Sequence, residues 1–492
     1  MNRSKVLGFA VGPIGAAVLG FVSLPASTWM FGAADIGRVA MLQTVTNLAI
    51  IVFGMGLDQS YLREYNGAGN RVALFRKAML PGLAALMLVA LVSVLLAPGL
   101  LTRSIFGREI SHFDLVIVLV VLAAYCSRYF SLILRMQERG LAFSMSQVLP
   151  KLFFLASLLG LYLSREPRSL GQLLGIHTLS FVAATLIFAW NTRRTWLAAA
   201  ASVDTIALRA MFAYGAPLMV SGLLFWGVEA MDKVALRILS DFRELGNYSV
   251  AVGIASVAGT LAVLFTTIWI PTAYRWADEP DCGERIEALA RRVVVLGATI
   301  ISAAGACTWT LRFLLPQEFA AVQYLVCVCM APPVLYACAE VTGIGAGIMR
   351  RNLAVLGSSA LACALNVALV FALVPVLGAT GAATATAASF LVMFFLRTEV
   401  SIRQWRPMQR RALYLPMAAI TACSILFALT GPLAPTYWII AWHLLAIGFV
   451  LRFRALFVEL FNKLARHANT SGAVAQPEGA LPAGAGQGEV KV

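Results

Sequence analysis

The chain is 492 residues long, 60% hydrophobic and 12% charged, with 38 Lys and Arg against 23 Asp and Glu and a net charge of +15. No soluble domain has use for so much apolar surface, so the composition excludes a soluble enzyme or binding module and describes a multi-span membrane protein. The positive charge invites a nucleic-acid reading, and its placement along the chain argues against one.

Fourteen apolar runs can cross a bilayer as helices, at roughly 7–31, 39–57, 78–102, 113–134, 144–163, 171–191, 211–239, 246–271, 293–315, 320–348, 353–374, 379–396, 413–431 and 435–451. With the N-terminus inside, the inner segments hold 27 Lys and Arg and 13 acids, a net +14; the outer loops hold 6 and 6, a net of zero. The spans keep five basic residues and four acids. This is the positive-inside pattern, and it places both termini in the cytoplasm. The basicity is topological.

Met1–Lys5 is a basic flank to a first run that is too long for a signal peptide, lacks an A-x-A cleavage site and is broken by Pro13 and Pro25. It is expected to be a retained span, with Gly8, Gly12, Gly15 and Gly20 allowing close helix packing. The second run ends in GLDQSYLREY, which sets Asp58, Arg63 and Glu64 at the cytoplasmic mouth. Arg128, in the fourth, is expected to snorkel to the inner interface. Lys151 is expected about 12 Å deep in the fifth, at 1.5 Å per residue, which favours a cavity. His177, in the sixth, reads as a hydrogen-bonded packing residue.

The stretch 214–276 organises the chain. Its first helix carries Glu229, Asp232, Lys233 and Arg237 within an arc of roughly 140°, one helix face. A charge near the bilayer centre costs about 2.5–3.5 kcal/mol on insertion scales, so such groups usually face a bundle interior. Glu229 and Asp232 are expected to face a cavity. For Lys233 and Arg237 two readings stand: the same cavity, or an i,i+4 pairing of Glu229 with Lys233 and snorkelling outward. The second helix ends in an aromatic and basic collar around Arg275.

Glu340, in the tenth run, reads as a buried hydrogen-bonded carboxyl, with titration as the alternative. Cys327 and Cys329 form a C-x-C with no His or second Cys pair beside it, so neither a metal site nor a cofactor is expected. Asn366, Pro375, Gly378 and Gly381 predict two closely packed helices joined by a tight outer turn. Beyond the last run, residues 453–467 carry an apolar stripe at helical spacing beside Arg454, Lys463 and Arg466, an interfacial amphipathic helix. Residues 468–492, rich in Gly, Ala, Pro and Gln, are expected to be a disordered cytoplasmic tail.

An internal repeat relates the halves. Asp35-Ile36-Gly37 matches Glu244-Leu245-Gly246, and Arg63 and Arg275 each close the helix that follows. Six spans separate the copies, which implies a parallel repeat about an axis along the membrane normal. The predicted fold is an all-α membrane protein of about 14 transmembrane helices. Residues 1–200 form an N-lobe and 201–400 a C-lobe, six helices each around a central cavity, and 401–452 add two more.

GPIGAAVLGFVSLP, DIG with GLDQSYLREY, APLMVSGLLFWGVEAMDKVALR, ELGNYSVAVGIA, FTTIWIP and NVALVFALVPVLGATGAATAT together resemble the polysaccharide-biosynthesis exporters, the Wzx-type lipid-linked oligosaccharide flippases of the multidrug/oligosaccharidyl-lipid/polysaccharide superfamily. The likeness covers roughly residues 5–400 in the family's order. It implies alternating-access transport, with no catalysis, of undecaprenyl-pyrophosphate-linked sugar units across the bacterial inner membrane for O-antigen, capsule or exopolysaccharide. It implies as partners the lipid-linked substrate, membrane lipids and the polysaccharide polymerase and chain-length machinery. Arg63 and Arg275, with Lys151 and Arg128, are the carry-over residues for the pyrophosphate, and Glu229, Asp232, Lys233, Arg237 and Glu340 those for the lumen and coupling.

Two transporter alternatives remain, a cation- or proton-coupled multidrug antiporter and a lipid II-type precursor flippase. A membrane glycosyltransferase, polymerase or ligase ranks low, because such enzymes need a sizeable outer loop and these outer loops are short. The charge division makes a direct prediction. Reporter fusions after Lys77, Arg209, Arg292 and Arg411 should read cytoplasmic, and fusions near Arg108, Arg168 and Ser240 periplasmic. A periplasmic signal at Arg209 would remove both the fourteen-span topology and the repeat.

Overall fold

The computed structural model describes residues 3–109, 112–165, 168–197, 207–277, 279–349 and 351–454. Apart from Phe453 and Arg454, the predicted interfacial helix 453–467 and the tail 468–492 lie outside the described residues. The spanning helices are α1 (Arg3–Met30), α2 (Ala33–Gly54), α3 (Arg71–Leu96), α4 (His112–Met136), α5 (Gly140–Ser164), α6 (Leu170–Trp196) and α7 (Leu208–Leu239). After them come α8 (Phe242–Trp276), α9 (Cys282–Cys307), α10 (Val322–Thr342), α11 (352–377), α12 (379–404), α13 (Arg410–Thr430) and α14 (Pro435–Arg452).

Local sequence explains several of the helix ends. The Asn70 side chain accepts from the Val72 and Ala73 amides to start α3. Ser169 and Gln172 close a capping box on α6, and Asp241 accepts from Glu244 N at 2.8 Å to start α8. The run Asn352–Gln404 is 53 residues, about 80 Å as one helix and far more than a bilayer needs. It breaks at Gly378, where φ 53 and ψ −130 suit only glycine. A Cβ on Gly381 would touch the Leu373 carbonyl, and Asn366 donates to Thr386 across the pair at 3.1 Å, so α11 and α12 are an antiparallel hairpin. With α7 bent by 43° and taken as one span, the described residues hold fourteen. That agrees with the sequence reading, and the fold is an all-helical multi-pass bundle.

Glycines set how closely the helices approach. Gly12 and Gly15 of α1 lie against Ser144 and Val148 of α5. A Cβ on Gly305 of α9 would meet the indole of Trp442, which is fully buried, so α14 is seated on α9. The repeat-related pair is reciprocal. A Cβ on Gly37 would overlap the Phe242 carbonyl, and one on Gly246 would overlap the Ala33 carbonyl. Here α2 and α8, one from each half, touch backbone to backbone.

Further bonds join the halves at that end. Trp29 Nε1 donates to Leu314 O at 2.9 Å, and Ala33 N to Glu318 Oε1 at 3.0 Å. At the other end, rich in Lys and Arg, Gly56 (φ 69) meets Gly215 backbone to backbone, and Ser60 Oγ donates to Met211 O at 2.7 Å. Midway, Trp226 Nε1 donates to Thr44 O at 3.3 Å.

A methyl group forced into a backbone contact costs about 1–3 kcal/mol. Gly246→Ala should therefore lower the thermal midpoint of the purified protein by a few degrees. Gly175→Ala, with nothing within 4 Å of its added Cβ, should not. Equal midpoints for the two variants would contradict the reciprocal contact.

Candidate functional site

Between the two end contacts lies a cavity of 550 Å³. Each helix around it gives one face at helical spacing. From α1 come Gly20, Ser23, Leu24 and Ser27; from α2, Gln43, Thr46, Asn47 and Ile50 with Ile36, Val39 and Ala40 above them. Ser146, Gln147, Pro150, Lys151 and Phe154 of α5 and His177 and Ser180 of α6 form the far wall. The second half closes it with Lys233 of α7 and Ser249, Val252, Gly253 and Ser256 of α8.

The lining includes two lysines and no Asp or Glu. Lys151 sits eleven residues into α5, about 16 Å from its basic-face end, and lies across Gly20, whose added Cβ would be 2.7 Å from Lys151 Nζ. Among the described residues it makes no ion pair. Lys233 has the Asp232 and Glu229 charges near it and pairs with neither. The remaining polar groups are hydroxyls and amides, which donate to an anion or bond a sugar hydroxyl equally well. His177 is 4% exposed, and its ring lies against Phe154 and Phe181 at 6.2 and 5.0 Å. It packs as expected but makes no hydrogen bond among the described residues, and its edge reaches the cavity wall.

The other expected residues go to different places. Arg128 pairs with Asp58 at 2.9 Å near the basic face. Arg63 stacks on Tyr214 at 4.3 Å, with Glu64 at 3.5 Å, and so joins the two halves. Arg275 is exposed and donates to Thr272 of its own helix at 3.3 Å. None of the three lines the cavity, and Arg63 and Arg275 share no contact among the described residues.

The charged face of α7 is divided rather than shared. Asp232 is 2% exposed and turned away from the cavity. Its Oδ2 accepts from the Tyr248 hydroxyl and from Thr386 Oγ1, the latter at 2.6 Å. Asp232 Oδ1 and Asn366 Oδ1 beside it have no hydrogen-bond partner among the described residues. Arg237 donates to the Ile105 and Arg103 carbonyls at 3.2 and 3.4 Å, a further tie between the halves. Glu229 is exposed and does not line the cavity, against expectation; it makes no ion pair with Lys233, although the two charges lie close enough to act on each other. Glu340 pairs with Arg397, which also donates to Ser359 at 3.0 Å.

Arg397 was hidden from the sequence reading, because the twelfth run was expected to end at 396 and the arginine fell in a loop. Gln43, Asn47 and Gln147 were missed as well. Their signal was present: amides four residues apart in an apolar run, and Gln147 four before Lys151, mark one wet helix face.

Comparison with known proteins places the chain. The family model described as polysaccharide biosynthesis protein matches residues 4–276, over half of the sequence. The chain belongs to the polysaccharide biosynthesis protein family. No curated protein sequence matches it. Among solved structures it is similar to lipid II flippase MurJ in an inward closed conformation, at TM-score 0.67 and 9% identity over 94% of this chain and 100% of that one. A eukaryotic MATE transporter, AtDTX14, gives TM-score 0.45 and 13% identity over 86% and 97% of the two chains. The fold of this family member is thus that of MurJ, an all-helical multi-pass bundle. The sequence-based resemblance agrees with the family match, and the fold class with the likeness to MurJ.

Proposed function

We propose that the protein moves a lipid-linked oligosaccharide with an anionic head across the bacterial inner membrane by alternating access. The substrate class is an undecaprenyl-pyrophosphate-linked repeat unit destined for O-antigen, capsule or exopolysaccharide. The observation that carries this reading is the acid-free cavity holding Lys151 and Lys233. Two unpaired ammonium groups at membrane depth are costly on their own and are offset by an anion that brings its own charge. The serines and amides around them suit a glycan, while the prenyl tail stays in lipid. We place the basic face in the cytoplasm, with both termini.

Within this reading the charged residues have separate tasks. Arg63, Arg275 and Arg128, near the basic face, capture the pyrophosphate before it enters, and Lys151 and Lys233 hold it inside. Asp232 is the coupling group, because its buried, half-satisfied carboxylate accepts a proton or a small cation without touching the substrate. Glu340 anchors Arg397 within the second lobe.

A lipid II-type precursor also has a pyrophosphate head, and the likeness of fold to MurJ favours it as the second reading. A cationic drug does not suit a cavity lined by lysines.

The test is surface glycan in strains carrying Lys151→Gln, Lys233→Gln or both, at matched protein levels. A charge-assisted hydrogen bond contributes about 1.5–3 kcal/mol, so each single variant should lose tenfold or more of transport, on the order of one to two decades. Lysine-to-arginine variants should recover part of it. Asp232→Asn should slow export while leaving the affinity for the head group intact. Wild-type export from the double glutamine variant would refute the anion site.

A further inference from the structure

A second hollow, of 510 Å³, lies on the outside of the bundle between α1 and α5, at the end opposite the basic face. Its floor and walls are apolar: Ala26 and Met30 of α1 with Leu155, Leu158 and Leu159 of α5. Trp29 and Tyr162 stand at its rim, both largely exposed, and Arg168 closes the top. From Leu155 to Tyr162 the wall runs about 10 Å along α5.

Three observations agree on what fills it. The lining below the rim offers no polar group, which suits a hydrocarbon chain and nothing hydrated. An aromatic pair at the end of a spanning helix belongs at the level of lipid headgroups. Arg168 donates through Nη1 to the Trp29 carbonyl at 3.2 Å, which holds its guanidinium over the hollow, and it makes no ion pair among the described residues. Basic residues are scarce on that side, six of the 38 by sequence, so an arginine held at this mouth runs against the charge bias of the chain.

We infer that this groove is a binding site for one anionic membrane phospholipid, with an acyl chain against Leu155 and Leu159 and the phosphate on Arg168. The guanidinium keeps donors free for a phosphodiester, and with no ion pair among the described residues it favours an anionic headgroup over a zwitterionic one. The site is separate from the central cavity. Helix α1 is the wall between them, with Ser23 and Ser27 facing the cavity and Ala26, Trp29 and Met30 facing the groove. A lipid seated here braces that wall from outside, whatever the cavity transports.

Native mass spectrometry of the full chain, released from nanodiscs of mixed phosphatidylglycerol and phosphatidylethanolamine, tests the assignment. The wild type should retain a single phosphatidylglycerol after the other lipids are stripped. Arg168→Gln should retain it about tenfold less, as expected for a lost charge-assisted contact. Leu159→Trp, which fills the groove and leaves the arginine, should also lose it. Wild-type retention by both variants, or equal retention of the two lipids by the wild type, would overturn the site. So would displacement of phosphatidylglycerol by an equimolar prenyl phosphate, since the groove would then belong to the transported lipid. None of these outcomes bears on Lys151 or Lys233, so this site and the central anion site fail or stand separately.

Discussion

Two ammonium groups at membrane depth, in a cavity whose lining holds no carboxylate and with neither in an ion pair among the described residues, impose a condition on everything around them. Each costs about 2.5–3.5 kcal/mol on insertion scales, so the bundle must either hydrate Lys151 and Lys233 or bring them a counter-charge. The walls show how the first is met. Five helices of the first half and two of the second turn a polar or small face inward, with serines and amides at helical spacing along apolar helices. Gly20 is part of the same arrangement, because any side chain there would displace the Lys151 ammonium. In the proposed function the substrate supplies the counter-charge.

The lobes that enclose this cavity meet through glycine at both ends, Gly37 with Gly246 and Gly56 with Gly215. Backbone-to-backbone contacts of this kind pack closely without interlocking side chains. Asp232 and Lys233 are neighbours on α7 with opposite destinations, the carboxylate in a polar cluster of the second lobe and the ammonium in the cavity. Loading or unloading the carboxylate therefore acts on the same helix that presents a cation to the substrate. The proposed coupling group and a lysine of the proposed head-group site are adjacent in the sequence.

Much of the architecture was legible in the sequence because it follows from length and period. Apolar runs gave fourteen spans, the Asp-Ile-Gly and Glu-Leu-Gly pair marked the repeat, and Gly378 marked the hairpin. Lys151 was assigned to a cavity from depth alone, and it lines one. The four charges of α7 were harder, because helical spacing reports a shared arc and not the partners around it. Tyr248 and Thr386, which turn Asp232 away from Lys233, come from α8 and α12. Arg63 and Arg275 were paired by repeat position, and the structure instead puts one on Tyr214 and the other on its own helix. Equivalence in a repeat fixes where two residues start from, and their side chains then answer to local neighbours.

The central claim is that the cavity recognises a diphosphate through Lys151 and Lys233. It is tested most directly by binding of a short-chain prenyl diphosphate to the purified protein, measured beside the matching prenyl alcohol. The account predicts saturable binding of the diphosphate, weak binding of the alcohol, and loss of the difference in the Lys151→Gln, Lys233→Gln double variant. Equal binding of the two ligands by the wild type, or an unchanged preference in the double variant, would contradict it.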